Sequence, residues 1–331
     1  MVPEAPFRAF RIHADAKPFR AGIEQISAAP LQAGELLIKT AYSSVNFKDA
    51  LAGTGTGKIL RVPVLTGGID AAGQVVASRD PGFKEGDAVL VTGSGLSETR
   101  DGGYADYLRV PAAVTVALPA GLSLREAMIL GTAGFTAALA LWQMEANGQT
   151  PDQGPIVVTG ASGGVGMLAI DLLTTAGYEA HAITGKPEQF DALIALGAQQ
   201  CISRKDLYWG QRPLETSRWA GAIECVGGEM LSGLTRVIHP YGNIACCGMA
   251  GGAELHTTVM PFIVRGLSVL GIASANTAYC VRRSLWERLA TRWKPRHLET
   301  ICRNEKSLDA LPLVFDTMLS GGSFGRTLIR L

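Results

Sequence analysis

The sequence predicts an α/β protein in which a doubly wound parallel sheet is joined to a β-rich region. Three observations carry this. Residues 156–176 run from an apolar strand through a glycine turn into an amphipathic helix. From about residue 124 onward, short apolar strands alternate with helical stretches, the pattern of parallel βαβ units. Before that point, short strand-like runs are punctuated by turn residues. The 331 residues suggest two domains, or one large one, and 47% apolar against 18% charged residues can bury a sizeable core.

The elements follow in order. Residues 36–41, 73–77 and 87–92 read as strands, separated by turn chemistry at 33–35, 80–82 and 84–86. Such spacing implies a small barrel or folded sheet. Residues 124–130 and 136–146 read as helices. Then come strand 156–159, helix 164–176, strand 179–184, helix 188–196, strand 220–225 and helix 229–237. Strands 243–247 and 267–272 and a late helix at 285–292 follow. The tail, 326–330, reads as a final strand that can return to the first region.

Composition excludes several classes. A net charge of +1 gives no electrostatic case for nucleic acid or an anionic membrane. No uninterrupted apolar run approaches the ~20 residues needed to span a bilayer. Residues 1–20 lack an apolar stretch after a basic start, so the cytoplasm is the expected location. Cys201, Cys225, Cys246, Cys247, Cys280 and Cys302 form no C-x-x-C pair and read as reduced thiols. The five histidines show no metal-ligand spacing, so no metal is expected.

Four segments carry chemistry. Gly160, Gly163 and Gly166 stand between strand and helix with spacing G-x-x-G-x-x-G. That context places a pyrophosphate on helix N-terminal amides, although glycines also mark plain turns. The next strand ends at Thr184-Gly185-Lys186. Enzymes that use NAD usually carry an acid there for the ribose 2′-hydroxyl. A hydroxyl and a cation suit a 2′-phosphate instead, which favours NADPH; the alternative is a solvated lysine in a turn. Residues 131–137 (Gly-Thr-Ala-Gly-Phe-Thr-Ala) open a helix with small residues that admit a bulky ligand or simply pack. Residues 42–50 place polar groups after an apolar strand, followed by the glycine-rich stretch 53–58, a usual setting for substrate contacts or a plain surface loop.

Together these segments resemble the medium-chain dehydrogenase/reductase superfamily in its quinone-oxidoreductase branch, and within it the YhdH/AcuI group. The likeness runs nearly end to end: it is carried by 42–51, 68–73, 131–137, 157–166, 219–223 and 257–263. It implies a GroES-like catalytic domain over about 1–125, completed by about 300–331. A Rossmann NADPH-binding domain over about 126–299 would lie between, with the cofactor in the cleft. It also implies a homodimer through the sheet edge from Leu267 to Ile272.

Zinc alcohol dehydrogenases of this superfamily carry an early cysteine and a Gly-His-Glu motif. Here Ser43-Ser44 and Gly68-Ile69-Asp70 stand near those places, and no cysteine precedes Cys201. Without a Lewis acid on a carbonyl oxygen, an activated C=C suits the chain better than an alcohol. The resemblance implies NADPH-dependent reduction of acrylyl-CoA, hydride going to Cβ and a proton to Cα. A quinone or enone reductase is the rival reading. A non-catalytic NADPH-linked nucleic-acid binder is a third, opposed by the balanced charge.

By position in the family, Asn46, Lys48 and Asp49 are the catalytic candidates. Some enoyl-thioester reductases of the superfamily place a tyrosine after the Asn-x-x-Asp segment, but residues 53–58 hold none, so water is a candidate proton donor. Cofactor contacts are expected from Tyr42, Asn46, Thr132, Ser162, Gly163, Gly164, Val165, Thr184, Gly185, Lys186, Arg204, Gly248, Met249, Phe324, Gly325 and Arg326. Lys58, Arg61 and Arg326 are candidate cations for the CoA phosphates.

Overall fold

The computed structural model describes Pro3 and residues 5–331, which form two compact units. The first runs to Thr132 and also takes Ala275–Ala290 and Cys302–Leu331. The second holds Ala133–Ser274 and Thr291–Ile301.

The first unit is β-rich. Phe7–His13 lies between Arg20–Ile26 and Val64–Thr66 in a small antiparallel sheet. A larger sheet runs Asn304–Lys306, Thr327–Arg330, Glu35–Ser44, Asp70–Ser78, Ala88–Thr92 and Val116–Ala117, with Tyr107–Pro111 also pairing Glu35–Ser44. The tail does return: Leu328 pairs with Ser44 and Arg330 with Tyr42, antiparallel. Phe10, Tyr104 and Phe315 meet at the core, with the rings of Phe10 and Phe315 5.7 Å apart and edge-on. Buried aromatic edge contacts of this kind add to plain apolar burial.

One element departs from the sequence reading. Residues 47–54, expected to continue a polar strand end into a glycine loop, form the helix Phe47–Thr54. Its start is set by Asn46 in an extended conformation, whose backbone N–H donates to Asp49 Oδ2 (2.9 Å). That reciprocal pattern is a helix-start signal, hidden here among polar residues.

The second unit is a six-stranded parallel sheet. Its order is Ala198–Ser203, Ala180–Thr184, Ile156–Thr159, Trp219–Glu224, Ile238–Cys246 and Ser268–Gly271. The chain starts at Ile156–Thr159, builds outward on one side, then returns to build on the other. The order therefore reverses between Ile156–Thr159 and Trp219–Glu224, the place where such sheets bind ligands. Both strands are buried at every residue, as expected of parallel strands covered on two faces. Helices Gly164–Thr175 and Gly228–Val237 supply cover, the latter through Leu234 and Val237 against Val157, Trp219 and Ile244.

The helix Leu124–Ala146 is long and apolar enough to cross a membrane by length and composition, yet 83% of its most apolar window is buried. It breaks at Gly131, whose φ of +49° and ψ of −153° are not helical.

Candidate active site

In the first unit the polar residues at the ends of three segments converge on Asp70, which is fully buried. Its carboxylate accepts from Ser44 Oγ (2.7 Å), Asn46 Nδ2 (2.8 Å), Thr132 Oγ1 (2.6 Å) and the Thr132 backbone N–H (3.0 Å). Arg326 lies 3.8 Å from Asp70 Oδ2. Its guanidinium donates to the carbonyls of Ile129 and Val45 (both 2.9 Å), to Asn46 Oδ1 (3.1 Å) and to Ser44 Oγ (2.7 Å). Burial pulls the guanidinium below its ordinary pKa, and the negative Asp70 acts against that. Gly131 lets the segments close: a Cβ there would stand 2.6 Å from Asp70 Oδ2 and 2.7 Å from Ser44 Oγ.

Asp49 is buried beside this cluster. It accepts from the Asn46 N–H (2.9 Å) and Nδ2 (3.2 Å) and from the Ile69 N–H (2.9 Å). Burial, then the charge of Asp70, push its pKa up to about 7, against the pull of those hydrogen bonds. Asp49 and Asp70 therefore hold the Asn46 side chain from two sides. Lys48 turns away and pairs with Glu98 (3.1 Å).

In the second unit the glycine turn sits at the reversal of strand order. The first hydrogen bond of helix Gly164–Thr175 runs from the Met167 N–H to the Gly163 carbonyl (2.9 Å). The amides before it are those a helix leaves without an internal partner. The helix can start so close to the strand because Gly166 has no side chain; a Cβ would lie 2.5 Å from the Gly160 carbonyl oxygen.

Ser162 Oγ and Thr184 Oγ1 are 2.8 Å apart, which ties this turn to the end of strand Ala180–Thr184. Thr184 Oγ1 also accepts from the Lys186 N–H (3.1 Å). The exposed Arg204 guanidinium lies over Gly185, where a Cβ would meet Nη2 at 3.2 Å. Burial lowers the Lys186 pKa, and Glu188 opposes the shift. Thr184, Gly185, Lys186 and Arg204 thus gather at one strand end, although Arg204 lies on a separate element.

The other candidates are placed as follows. Gly248 backs onto the Cys225 carbonyl, with no room for a Cβ (2.1 Å), and Met249 after it is 67% exposed. Tyr42 is half-buried opposite Arg330. Phe324 is half-buried under the Arg303 guanidinium (5.3 Å), and Gly325 is buried. Lys58 and Arg61 are exposed on the loop after helix Phe47–Thr54. Arg326 differs from expectation. Instead of closing on a cofactor or offering a cation to CoA, it is 3% exposed and directs its donors to the Asp70 cluster and two carbonyls.

Two residues were missed by the sequence reading. Asp70 was noted only as standing where a zinc motif would be; an acid opening an apolar strand was the available signal. Glu224, fully buried, accepts from the Val226 and Gly227 N–H groups (2.7 and 2.8 Å) and Thr159 Oγ1 (3.1 Å), shaping the turn after its strand.

Comparison with known proteins decides the family. Residues 32–120 match the alcohol dehydrogenase GroES-like domain, and residues 164–291 match zinc-binding dehydrogenase. The putative quinone oxidoreductase YhfP of Bacillus subtilis is 44% identical over 98% of this chain and 99% of its own length. The chain belongs to the medium-chain dehydrogenase/reductase family. Within the family it falls in the quinone-oxidoreductase branch with the YhdH/AcuI group, and its fold is the GroES-like domain plus Rossmann sheet that this family uses. The acrylyl-CoA reductase AcuI of Ruegeria pomeroyi is 42% identical over 94% of each chain. The yhdH oxidoreductase of Salmonella enterica, solved in complex with NADP, superposes with a TM-score of 0.93 at 41% identity, covering 98% of this chain and 99% of that one. YhfP, solved with NAD bound, gives the same TM-score at 43% identity, covering 99% of this chain and 100% of that one.

The family includes zinc enzymes, and this chain's residues do not fit that metal. Ser43 Oγ donates to the Asp70 carbonyl (2.6 Å), Ser44 bridges Asp70 and Arg326, and a guanidinium already faces the carboxylate. Among the described residues, no group of three or more His, Cys, Asp or Glu side chains stands together as metal ligands. A dinucleotide fits better: glycines that a Cβ would fill, open helix amides and two cations at the next strand end.

Proposed function

We propose that the protein reduces the activated double bond of acrylyl-CoA to propanoyl-CoA with NADPH. The observation that carries the cofactor is the strand end at Thr184, where Lys186 and Arg204 stand in place of an acid. A 2′-phosphate would be attracted there, whereas an NADH site would carry a carboxylate. The substrate half is supported by the AcuI relative, similar across nearly the whole chain.

When bound, NADPH supplies the hydride that the β-carbon takes up. Ser162, Gly163, Gly164 and Val165 hold its pyrophosphate at the helix N-terminus, and Thr184, Gly185, Lys186 and Arg204 hold the 2′-phosphate. Gly248 and Met249 flank the nicotinamide. In the first unit, Asp70 fixes the orientation of Asn46 and Thr132. Arg326 acts through Asn46 and Asp70. The thioester makes the β-carbon electrophilic, so the residues need to orient more than to polarise. The proton for Cα comes from water, since Asp49 and Asp70 are buried and residues 53–58 hold no tyrosine.

The test is NADPH oxidation with enoyl-CoA substrates of three to six carbons beside a soluble quinone. The three-carbon thioester is expected to give the highest kcat/KM. Turnover of the quinone without the thioester would establish the second reading, a quinone reductase, which the YhfP relative favours. We also place the protein in the cytoplasm, a reducing setting that suits its six free thiols. The homodimer would form along Ser268–Gly271, the outer strand of its sheet, beside Ile263 and Val264 (77% and 63% exposed). Light scattering would test it; a monomer at all concentrations would refute it.

A further inference from the structure

Cys225 and Cys247 stand at the ends of neighbouring parallel strands. Trp219–Glu224 pairs with Ile238–Cys246 so that Glu224 is opposite Cys246, and each cysteine is the next residue along. Their sulfurs are 3.5 Å apart. A disulfide needs about 2.0 Å, so closure asks for roughly 1.5 Å of sulfur movement, within reach of side-chain rotation. The backbones are already held together. The Cys225 N–H donates to Thr159 Oγ1 (2.9 Å), the Cys247 N–H donates to the Glu224 carbonyl (2.9 Å), and Gly248 packs directly on the Cys225 carbonyl. Cys246 is not part of the pair; its sulfur lies 3.9 Å from Glu224 Oε2.

We propose that Cys225 and Cys247 are a modification site, a dithiol that hydroperoxides convert to an intramolecular disulfide. In the first step the Cys247 sulfur attacks a peroxide oxygen. The S–O bond forms, the O–O bond breaks, and hydroxide leaves as water with the thiol proton. In the second step the Cys225 sulfur displaces the hydroxyl of the Cys247 sulfenic acid. The S–S bond forms, the S–O bond breaks, and a second water leaves with the Cys225 proton. Two thiols lose two electrons, and one hydrogen peroxide accepts them. The order follows from the shared hydrogen bond, which together with burial holds the Cys225 thiol well above its ordinary pKa and makes it the resolving partner. A dithiol reductant reverses the change.

The pair is placed to affect nucleotide binding. A Cβ on Gly160, the first glycine of the turn, would lie 3.5 Å from Cys225 Cβ, and Gly248 directly follows Cys247. Rotating the two sulfurs together therefore changes the side-chain packing against the two segments given to the pyrophosphate and the nicotinamide. This consequence rests on the proposed function; the disulfide itself does not.

The experiment treats the full-length protein with a few equivalents of hydrogen peroxide, alkylates it and maps peptides without reduction. A Cys225–Cys247 link that dithiothreitol reverses is expected. Cys225→Ser should leave a sulfenic acid on Cys247 that dimedone captures, and Cys247→Ser should give no link. The exposed Cys280 serves as the reference thiol. Both Cys225 and Cys247 remaining alkylatable after Cys280 is consumed would overturn the site, as would links only to other cysteines. Fluorescence titration of the oxidised protein should show NADPH binding weakened by about tenfold or more, restored by dithiothreitol. A disulfide with unchanged NADPH affinity would overturn the coupling. Failure of the reduced protein to bind NADPH would instead overturn the proposed function and leave the disulfide in place.

Discussion

The Asp70 cluster and the strand end at Thr184 both pair polar groups with arginine, yet they use charge in opposite ways. Arg326 is buried and donates to two carbonyls and two side chains of the cluster. Arg204 is exposed over a glycine, and Lys186 beside it is half-buried. The first arrangement neutralises charge inside the protein and fixes Asn46 and Thr132. The second leaves Arg204 exposed, where an anionic ligand can meet it. The buried cation is a stability feature, and the proposed function makes the outer ones recognition features.

Removing Arg326 is the severest test of that contrast. Arg326→Ala leaves Asp70 charged, buried and without its cation, and is expected to cost about 3–5 kcal/mol of stability, read by urea unfolding. Adding Asp70→Asn should recover part of the loss. Arg326→Ala with unchanged stability and weakened NADPH would reverse the assignment. On the other side, Lys186→Ala should weaken NADPH by roughly 10- to 100-fold, the worth of a charge-assisted hydrogen bond. NADH binding and stability should barely move; equal loss of both nucleotides would show that Lys186 does not read the phosphate.

The pH dependence of stability sharpens the buried half. Asp49 titrates at about 7 in the folded protein against 3.8 for the ordinary carboxyl. Between pH 6 and pH 8 the folded state releases a proton that the unfolded state has already lost. Stability from this group is therefore present at low pH and lost as pH rises, by about 1 kcal/mol across that window. Asp49→Asn should flatten this slope; an unchanged slope would show that another group titrates. The smallest effect is expected from Arg204→Ala. An exposed cation contributes under about 1 kcal/mol, so NADPH should weaken only a few-fold, and less at high salt. A loss matching that of Lys186→Ala would show that Arg204 carries the phosphate contact.

Much of the second unit was legible in the sequence because its signals are local. Residues 156–166 state strand, turn and helix consecutively, and Thr184-Gly185-Lys186 follows one strand later. The first unit was harder to read. Asn46 and Asp49 sit three apart and start a helix, but their polar neighbours mimic a loop. Arg326 was expected in a C-terminal loop closing on the cofactor or as a cation for the CoA phosphates. Its true surroundings are Ser44, Val45, Asn46, Asp70 and Ile129, contributed by segments distant in sequence.

By itself the sequence determined the α/β class, the parallel sheet, the family and the strand–turn–helix at residues 156–176. Each rests on periodicity or on contiguous motifs, and a backbone with 3.6- or 2-residue repeats records those along the chain. Only the tertiary structure decided which charges are hidden and which are offered, and that Cys225 lies against Cys247 rather than alone. Burial and sulfur–sulfur distance depend on segments brought together by folding. Desolvation, which decides what a charge or thiol can do, acts on the position in space and not on the position in sequence.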